Sequence, residues 1–377
     1  MDWIRGVKMM LPNLDRIKEY SYEMGAIRPP SEGGSNSLLI RATRNCPWNR
    51  CGFCYGTPYA RAKFELRSVE EVKADILSAK HISDEIEVIT KKLGGIEWTV
   101  RVLDPSFLYD KEQQRLNKKE RKNFQCVVNV FNWYYSGGKT VFLQDANSLI
   151  MRTPQLLEIV SYLKEIFPSI ERITSYARSK TLAKKSEEEL KSLKEAGLTR
   201  VHVGLETGDD ELLEYIKKGV TSEEQITGGK KSKEAGIELS VYVMPGLGGK
   251  KMSLQHAKNS ARVLNEINPD FIRSRPYVPN PLTPLFNEIS KGEFKLLSPH
   301  ECLKEIKIMV EDLDVTGKVC FDHAMNYWSS KAGGHLFTQS YEGYKFPEEK
   351  ETVLELIEEG LKIEESVHER VRVRVPL

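Results

Sequence analysis

Short apolar runs alternate with longer amphipathic stretches along most of the chain. "SLLIRAT" (37–43), "KTVFLQDA" (139–146), "RITSYAR" (172–178), "RVHVGLET" (200–207), "ELSVYVMPG" (238–246) and "DFIRSRPYV" (270–278) have the length and the β-branched and aromatic content of strands. Between them, apolar residues recur at helical spacing. "SVEEVKADILSAKHI" opens with Ser68 and Glu71 three residues apart, which predicts a capping box. "TPQLLEIVSYLKEIF" carries Pro154 in its first turn, and "SEEELKSLKEAG" is closed by Gly197. Further helices are expected in "DDELLEYIKKG", in "TSEEQITGGKKSKEAG" and around "LQHAKNSARVLNEI". Six strands alternating with helices predict an α/β fold with a parallel sheet, curled or open.

Side-chain alternation refines this. In "VHVGLE", Val201, Val203 and Leu205 share one face, and His202, Gly204 and Glu206 share the other. In a closed sheet the apolar set would pack on helices, and the polar, partly glycine-lined set would face a bound ligand. The expected organisation is an N-terminal extension (1–36), a core (37–285) with an insertion at about 92–135, and a mainly helical C-terminal extension (286–377). The extension holds a helix near 298–313, the segment "CFDHAMNYW" and a final charged helix.

Composition narrows the function classes. At 377 residues and 40% hydrophobic content, one barrel-sized domain with an appendage is expected. A net charge of +2 with 29% charged residues marks neither a nucleic-acid binder nor a membrane-surface protein. The first residues have too short an apolar core for a secretory signal, and no apolar stretch reaches membrane-span length, so the cytoplasm is the expected location. Six cysteines in such a chain argue against a disulfide framework.

Three of those cysteines, Cys46, Cys51 and Cys54, fall within "TRNCPWNRCGFCYG" (43–56), directly after the first strand. Thiolates in one short loop can turn toward one point and bind soft or borderline metals. Structural zinc would call for a fourth ligand, and His81 and Cys126 lie far along the chain. A four-iron cluster needs only three thiolates, leaving one iron open to a small chelating ligand. Trp48, Phe53 and Tyr55 would shield it from water. A zinc or iron–sulfur sensor, or three incidental thiols, are the alternatives.

The cysteine loop, the six strand–helix units and "VHVGLETGDDELLEYIKKG" together resemble radical S-adenosylmethionine (SAM) enzymes over about 37–285. The resemblance is to the branch of coproporphyrinogen dehydrogenase, Elp3 and the methylthiotransferases. It implies a partial (β/α)6 TIM-like barrel. It also implies a [4Fe–4S] cluster held by Cys46, Cys51 and Cys54, whose open iron binds the amino and carboxylate groups of SAM. One-electron reduction, by a ferredoxin- or flavodoxin-type donor, would then release a 5′-deoxyadenosyl radical that abstracts hydrogen from an organic substrate. The spacing is C-x4-C-x2-C, one residue longer than the family's C-x3-C-x2-C.

Phe53, beside the cysteines, is a candidate cofactor contact, and by the same resemblance Gln144 and Asp145 fall where the family meets the SAM amino group. Tyr176 and Arg178 stand at the third strand, where relatives carry a glutamate. Glu206 would reach the ribose and Lys218 the SAM carboxylate, with Ser240 at a ribose-binding position. Met244, in "MPGLGG", and Tyr277, in "PYVPNPLTP", would complete the adenine pocket. Substrate selection is expected from Arg273 and Arg275, which alternate onto one face with Tyr277, and from His323 in the tail. With Tyr55 these are the candidate catalytic residues. Two arginines suit a carboxylate or phosphate, or else pair with nearby acids. With no added nucleic-acid module legible, a small-molecule substrate is expected ahead of tRNA.

Overall fold

Each of the six apolar runs forms a strand in the structure, a computed structural model that describes residues 19–27, 36–103 and 118–372. Contacts divide the chain into two units. The first comprises residues up to Arg44, Glu65–Thr174 and Ala196–Leu198; the second comprises Asn45–Phe64, Ser175–Glu195 and Thr199 onward.

In the first unit, β1 (Leu38–Arg41) pairs in parallel with β4 (Thr140–Gln144), from Leu38 opposite Val141 to Arg41 opposite Gln144. Between them come a short antiparallel pair, β2 (Thr43–Arg44) and β3 (Glu65–Leu66), and helix α1 (Val69–Leu93). The Ser68–Glu71 capping box forms at the start of α1, and Gly94 ends it in the left-handed conformation. The helix runs past the expected end because Ile86 and Ile89 continue the buried stripe of Val72, Ile76, Ala79 and Ile82. Each buried valine or isoleucine of the stripe stabilises the unit by about 1.5–3 kcal/mol. The described residues of the expected insertion form α2 (Ile96–Leu103) and α3 (Lys118–Tyr135), and 104–117 lie outside the described residues. Helix α4 (Thr153–Ile166) packs on α1 and is followed by β5 (Arg172–Ala177), whose halves belong to different units.

The second unit continues with α5 (Ser179–Lys184), α6 (Glu187–Ala196), β6 (Leu198–Glu206), α7 (Asp210–Tyr215) and α8 (Ser222–Glu234). Then follow β7 (Glu238–Val243), α9 (Gly249–Ile267), β8 (Phe271–Ser274), α10 (Pro284–Ser290) and α11 (Pro299–Asp312). The tail adds β9 (Lys318–Cys320), β10 (Tyr344–Lys345), α12 (Lys350–Leu361) and α13 (Glu365–Arg372). Strands β6 to β9 are parallel neighbours, and β10 runs antiparallel to β9. The mostly parallel α/β arrangement is that of the partial TIM-like barrel class. The tail strands had no sequence signal: runs of three and two residues are too short for alternation to register. No helix among the described residues is long and apolar enough to cross a membrane.

Candidate functional site

The cysteine loop lies in the second unit and is wound by its own backbone. The amides of Cys54 and Tyr55 donate to the Cys51 carbonyl at 3.1 and 2.7 Å, and that of Thr57 donates to Cys54 at 3.0 Å. The Asn49 amide meets Cys46 Sγ at 3.4 Å. Gly56 has φ +65°, and a Cβ there would fall 1.5 Å from Asn49 Oδ1, so only glycine fits the turn. The loop is tied down from outside as well. Gly52 donates to the Ile216 carbonyl at 2.7 Å and accepts from Leu285 at 3.0 Å. Trp48 Nε1 donates to the Lys217 carbonyl at 2.7 Å, with the Arg178 guanidinium 5.0 Å from its ring.

All three loop cysteines are half-buried free thiols, whereas Cys126, Cys302 and Cys320 are buried elsewhere in the chain. Burial pushes the Cys51 thiol up to about 11, against the pull of Lys218 and Arg178, and burial also raises Cys54. Cys46 and Cys54 add to the rise at Cys51, and Cys46 adds to that at Cys54, so bound cationic charge would favour the thiolate form of both. Among the described residues no three His, Cys, Asp or Glu side chains form a site for one metal ion. In a cluster each thiolate takes a different iron, so such convergence is not required.

Beside the loop, Lys218 Nζ and Glu206 Oε1 pair at 2.8 Å, both largely buried, and Lys218 sits 5.6 Å from the Phe53 ring. Burial opposes the lysine's charge, but Glu206 and Cys51 outweigh it and raise its pKa. Gly204 makes room for the pair: a Cβ there would lie 2.2 Å from Glu206 Oε1. Arg178 caps α5 and donates to the Lys218 carbonyl at 2.5 Å, and burial lowers its pKa. The cysteines, Phe53, Arg178, Glu206 and Lys218 are thus brought together. Met244 and Tyr277 join a buried apolar cluster with Leu212 and Phe294, against which Phe53 packs.

The substrate-side candidates separate. Arg273 is 1% exposed, donating to Asp322 at 2.8 Å and to Ser240 Oγ at 3.1 Å, with its guanidinium 3.8 Å from the Tyr341 ring. Ser240 is likewise buried. Arg275 is exposed, and its charge reaches both Tyr176 and His323. Burial, then Arg275, lowers the His323 pKa to about 4, and His323 Nδ1 accepts from the Met325 amide at 3.1 Å. The ring is therefore neutral with its proton on Nε2. Burial raises the Tyr176 phenol, whose ring lies 5.6 Å from that of His202. Tyr55 is 38% exposed, with the Arg61 guanidinium 5.0 Å from its ring.

Gln144 and Asp145 belong to the first unit and are engaged there. Gln144 Oε1 accepts from Gly25 at 2.8 Å, and Asp145 pairs with Arg41 at 2.6 Å. Arg41 also pairs with Glu23 at 2.8 Å, so the acid expected to meet an ammonium already holds a guanidinium.

Sequence reasoning missed two buried polar residues, His256 and Glu305, which contact the Met244–Gly249 turn. A signal existed for Glu305: it interrupts the buried stripe Cys302, Ile306, Met309 of α11. A cavity of about 690 Å³, lined by Tyr215, Glu288 and Lys250 among others, shares Met252 and Phe294 with the apolar cluster and includes no cysteine-loop residue.

A model of the radical SAM superfamily matches residues 40–258, more than half of the chain. The heme chaperone HemW of Bacillus subtilis is 23% identical over 216 residues, 52% of this chain and 56% of that protein. The tRNA uridine(34) acetyltransferase of Methanocaldococcus jannaschii is 29% identical over 121 residues, 32% of this chain and 22% of that protein. The chain thus spans about half the length of the first relative and under a quarter of the second. Among solved structures, the archaeal Methanocaldococcus infernus Elp3 with an N-terminal deletion is 17% identical, covering 67% of this chain and 60% of that one at a TM-score of 0.42. By the match across its strand–helix core, this chain belongs to the radical SAM superfamily.

Proposed function

We propose that the chain is a radical SAM enzyme acting on an organic substrate, with Cys46, Cys51 and Cys54 holding a [4Fe–4S] cluster. The observation that carries this reading is the three-thiol loop lying against Arg178 and Lys218, within a superfamily match over 40–258. The donor set fits the cofactor: three thiols supply three iron ligands, and two fixed cations offset the charge of the thiolates. When bound and reduced, the cluster supplies the electron that cleaves SAM to methionine and a 5′-deoxyadenosyl radical, which takes a hydrogen atom from substrate. The residues of this chain bind and exclude water. Lys218 is the cation available to an anionic carboxylate and Glu206 the acceptor available to hydroxyls. Phe53, Met244 and Tyr277 provide an apolar wall for a flat ring. Arg275, with its exposed guanidinium near His323, is the candidate for a substrate anion, while Arg273 is committed to Asp322. The core is 37–285, the flanks are extensions, and the electron comes from a low-potential donor of ferredoxin or flavodoxin type.

A small molecule is the first substrate reading. RNA is the second, favoured by the similarity to a tRNA uridine(34) acetyltransferase. The test is anaerobic reconstitution with iron and sulfide, reduction, addition of SAM, and mass-spectrometric quantification of 5′-deoxyadenosine with and without added tRNA. The expected result is 5′-deoxyadenosine from the wild type and none from Cys51→Ala. Uptake of zinc alone, or a redox-active iron centre that never cleaves SAM, would overturn the reading.

A further inference from the structure

We propose that Glu305, on the C-terminal helix α11, is a positioning residue for SAM: it fixes the turn between β7 and α9 that forms the apolar wall. This rests on the function proposed above. The turn runs from Met244 to the start of α9 and is anchored at its first residue by the Met244 amide, which donates to the Glu206 carbonyl at 2.9 Å. Its apex is held from the other side. Glu305 Oε1 accepts from the Gly246 amide at 2.6 Å, while Oε2 accepts from Ser253 Oγ in the first turns of α9. Gly246 has φ +84°, a conformation that open solvent would not enforce.

His256 completes the frame. Its Nε2 lies 3.1 Å from the Met244 carbonyl and 3.6 Å from Glu305 Oε1, and its Nδ1 lies 2.8 Å from Thr207 Oγ1. A carbonyl only accepts, so Nε2 carries a proton, and Nδ1 bonds to the threonine hydroxyl. Thr207 follows Glu206 directly. The carboxylate of α11, the imidazole of α9 and the end of β6 therefore fix one turn together.

Glu305 is 3% exposed. A carboxylate so buried costs more than an apolar residue at the same place unless its geometry is needed. Here the Gly246 amide and the Ser253 hydroxyl both donate to it, and the first of these is the main chain of the turn. The arrangement makes the C-terminal extension part of the SAM site without contributing a side chain to it. Loss of Glu305 frees the Gly246 amide, lets Met244 shift and weakens SAM binding, while the cysteine loop keeps its own internal turns.

The test uses the full chain, reconstituted anaerobically, comparing wild type, Glu305→Ala, Glu305→Gln and Ser253→Ala. Three quantities are read: iron per chain, the SAM dissociation constant by equilibrium dialysis, and amide hydrogen exchange of the peptide covering 244–249 in iron-free protein. Glu305→Ala is expected to retain iron, to exchange faster at the turn and to bind SAM about tenfold more weakly. Glu305→Gln keeps the acceptor for Gly246 and should recover most of the affinity. Ser253→Ala, which keeps the carboxylate and removes one anchor, should lose a few-fold in affinity; it decides the matter if Glu305→Ala does not fold. Unchanged SAM affinity in the variants that fold, or a glutamine variant as weak as alanine, overturns the proposal alone. Iron-loaded wild type that binds no SAM overturns the functional reading and this proposal with it.

Discussion

Lys218 and Glu206 stand twelve positions apart and meet at 2.8 Å in a largely buried pair beside the thiols. Removing one partner strands the other charge in a poor solvent, so Lys218→Ala acts on more than one contact. It should raise the SAM dissociation constant at least about tenfold while iron loading persists, as read by dialysis and iron analysis. His323 is a different kind of residue, kept neutral by burial and by Arg275. Its depressed pKa means that its contribution to stability is full above about 6.5, its ordinary value, and is lost as pH falls toward about 4. An NMR titration should place its midpoint near 4, so any rate change near pH 6.5 must come from another group. His323→Ala is expected to slow substrate-dependent turnover and leave uncoupled SAM cleavage intact. Equal loss of both would assign it a structural role.

At the scale of elements, the loop and the helix after it carry separate burdens. The loop turns at Gly56, where a Cβ would collide with Asn49, so Gly56→Ala should cut iron retention severely and leave the helices intact by circular dichroism. In α1 the Ser68 capping box supports only the helix end. Ser68→Ala should cost about 1 kcal/mol, visible as a lower urea midpoint, with iron loading unchanged. Both elements were legible, but differently. The capping box is a local pattern that needs nothing beyond four residues. The cysteine spacing announces metal chemistry, whereas the backbone bonds of Gly52 to Ile216 and Leu285 that fix the loop come from residues more than 160 positions away.

For the molecule as a whole, a dense node of charge among the described residues lies in the first unit. Glu23 pairs with Arg41 and Arg44 and lies near Arg67, and against the effect of burial these arginines hold its pKa down at about 2. A depressed carboxyl pKa gives stability that is complete above its ordinary value of 4.5 and is lost as pH falls toward about 2. Acid unfolding should therefore begin within that window. Glu23→Gln should flatten the pH dependence there and lower neutral-pH stability by about 1–3 kcal/mol, as measured by urea unfolding at several pH values. No amphipathic pattern reveals this node, because Glu23 stands outside every periodic segment of the sequence.

What the sequence determined by itself was the local and the covalent: six strands, the helices between them, their caps and the thiol loop. Those follow from side-chain period, cap chemistry and residue type over a few positions. Tertiary structure decided which charges meet. Arg273, on β8, and Arg275, just past its end, read alike in sequence, yet one is sealed against Asp322 and Tyr341 and the other is exposed. Asp322 and Tyr341 arrive from a tail whose strands are too short to announce themselves. Glu305 has no local motif around it, and only the fold sets it against the Gly246 amide. Partners supplied from far along the chain obey no period, so only the folded structure shows them.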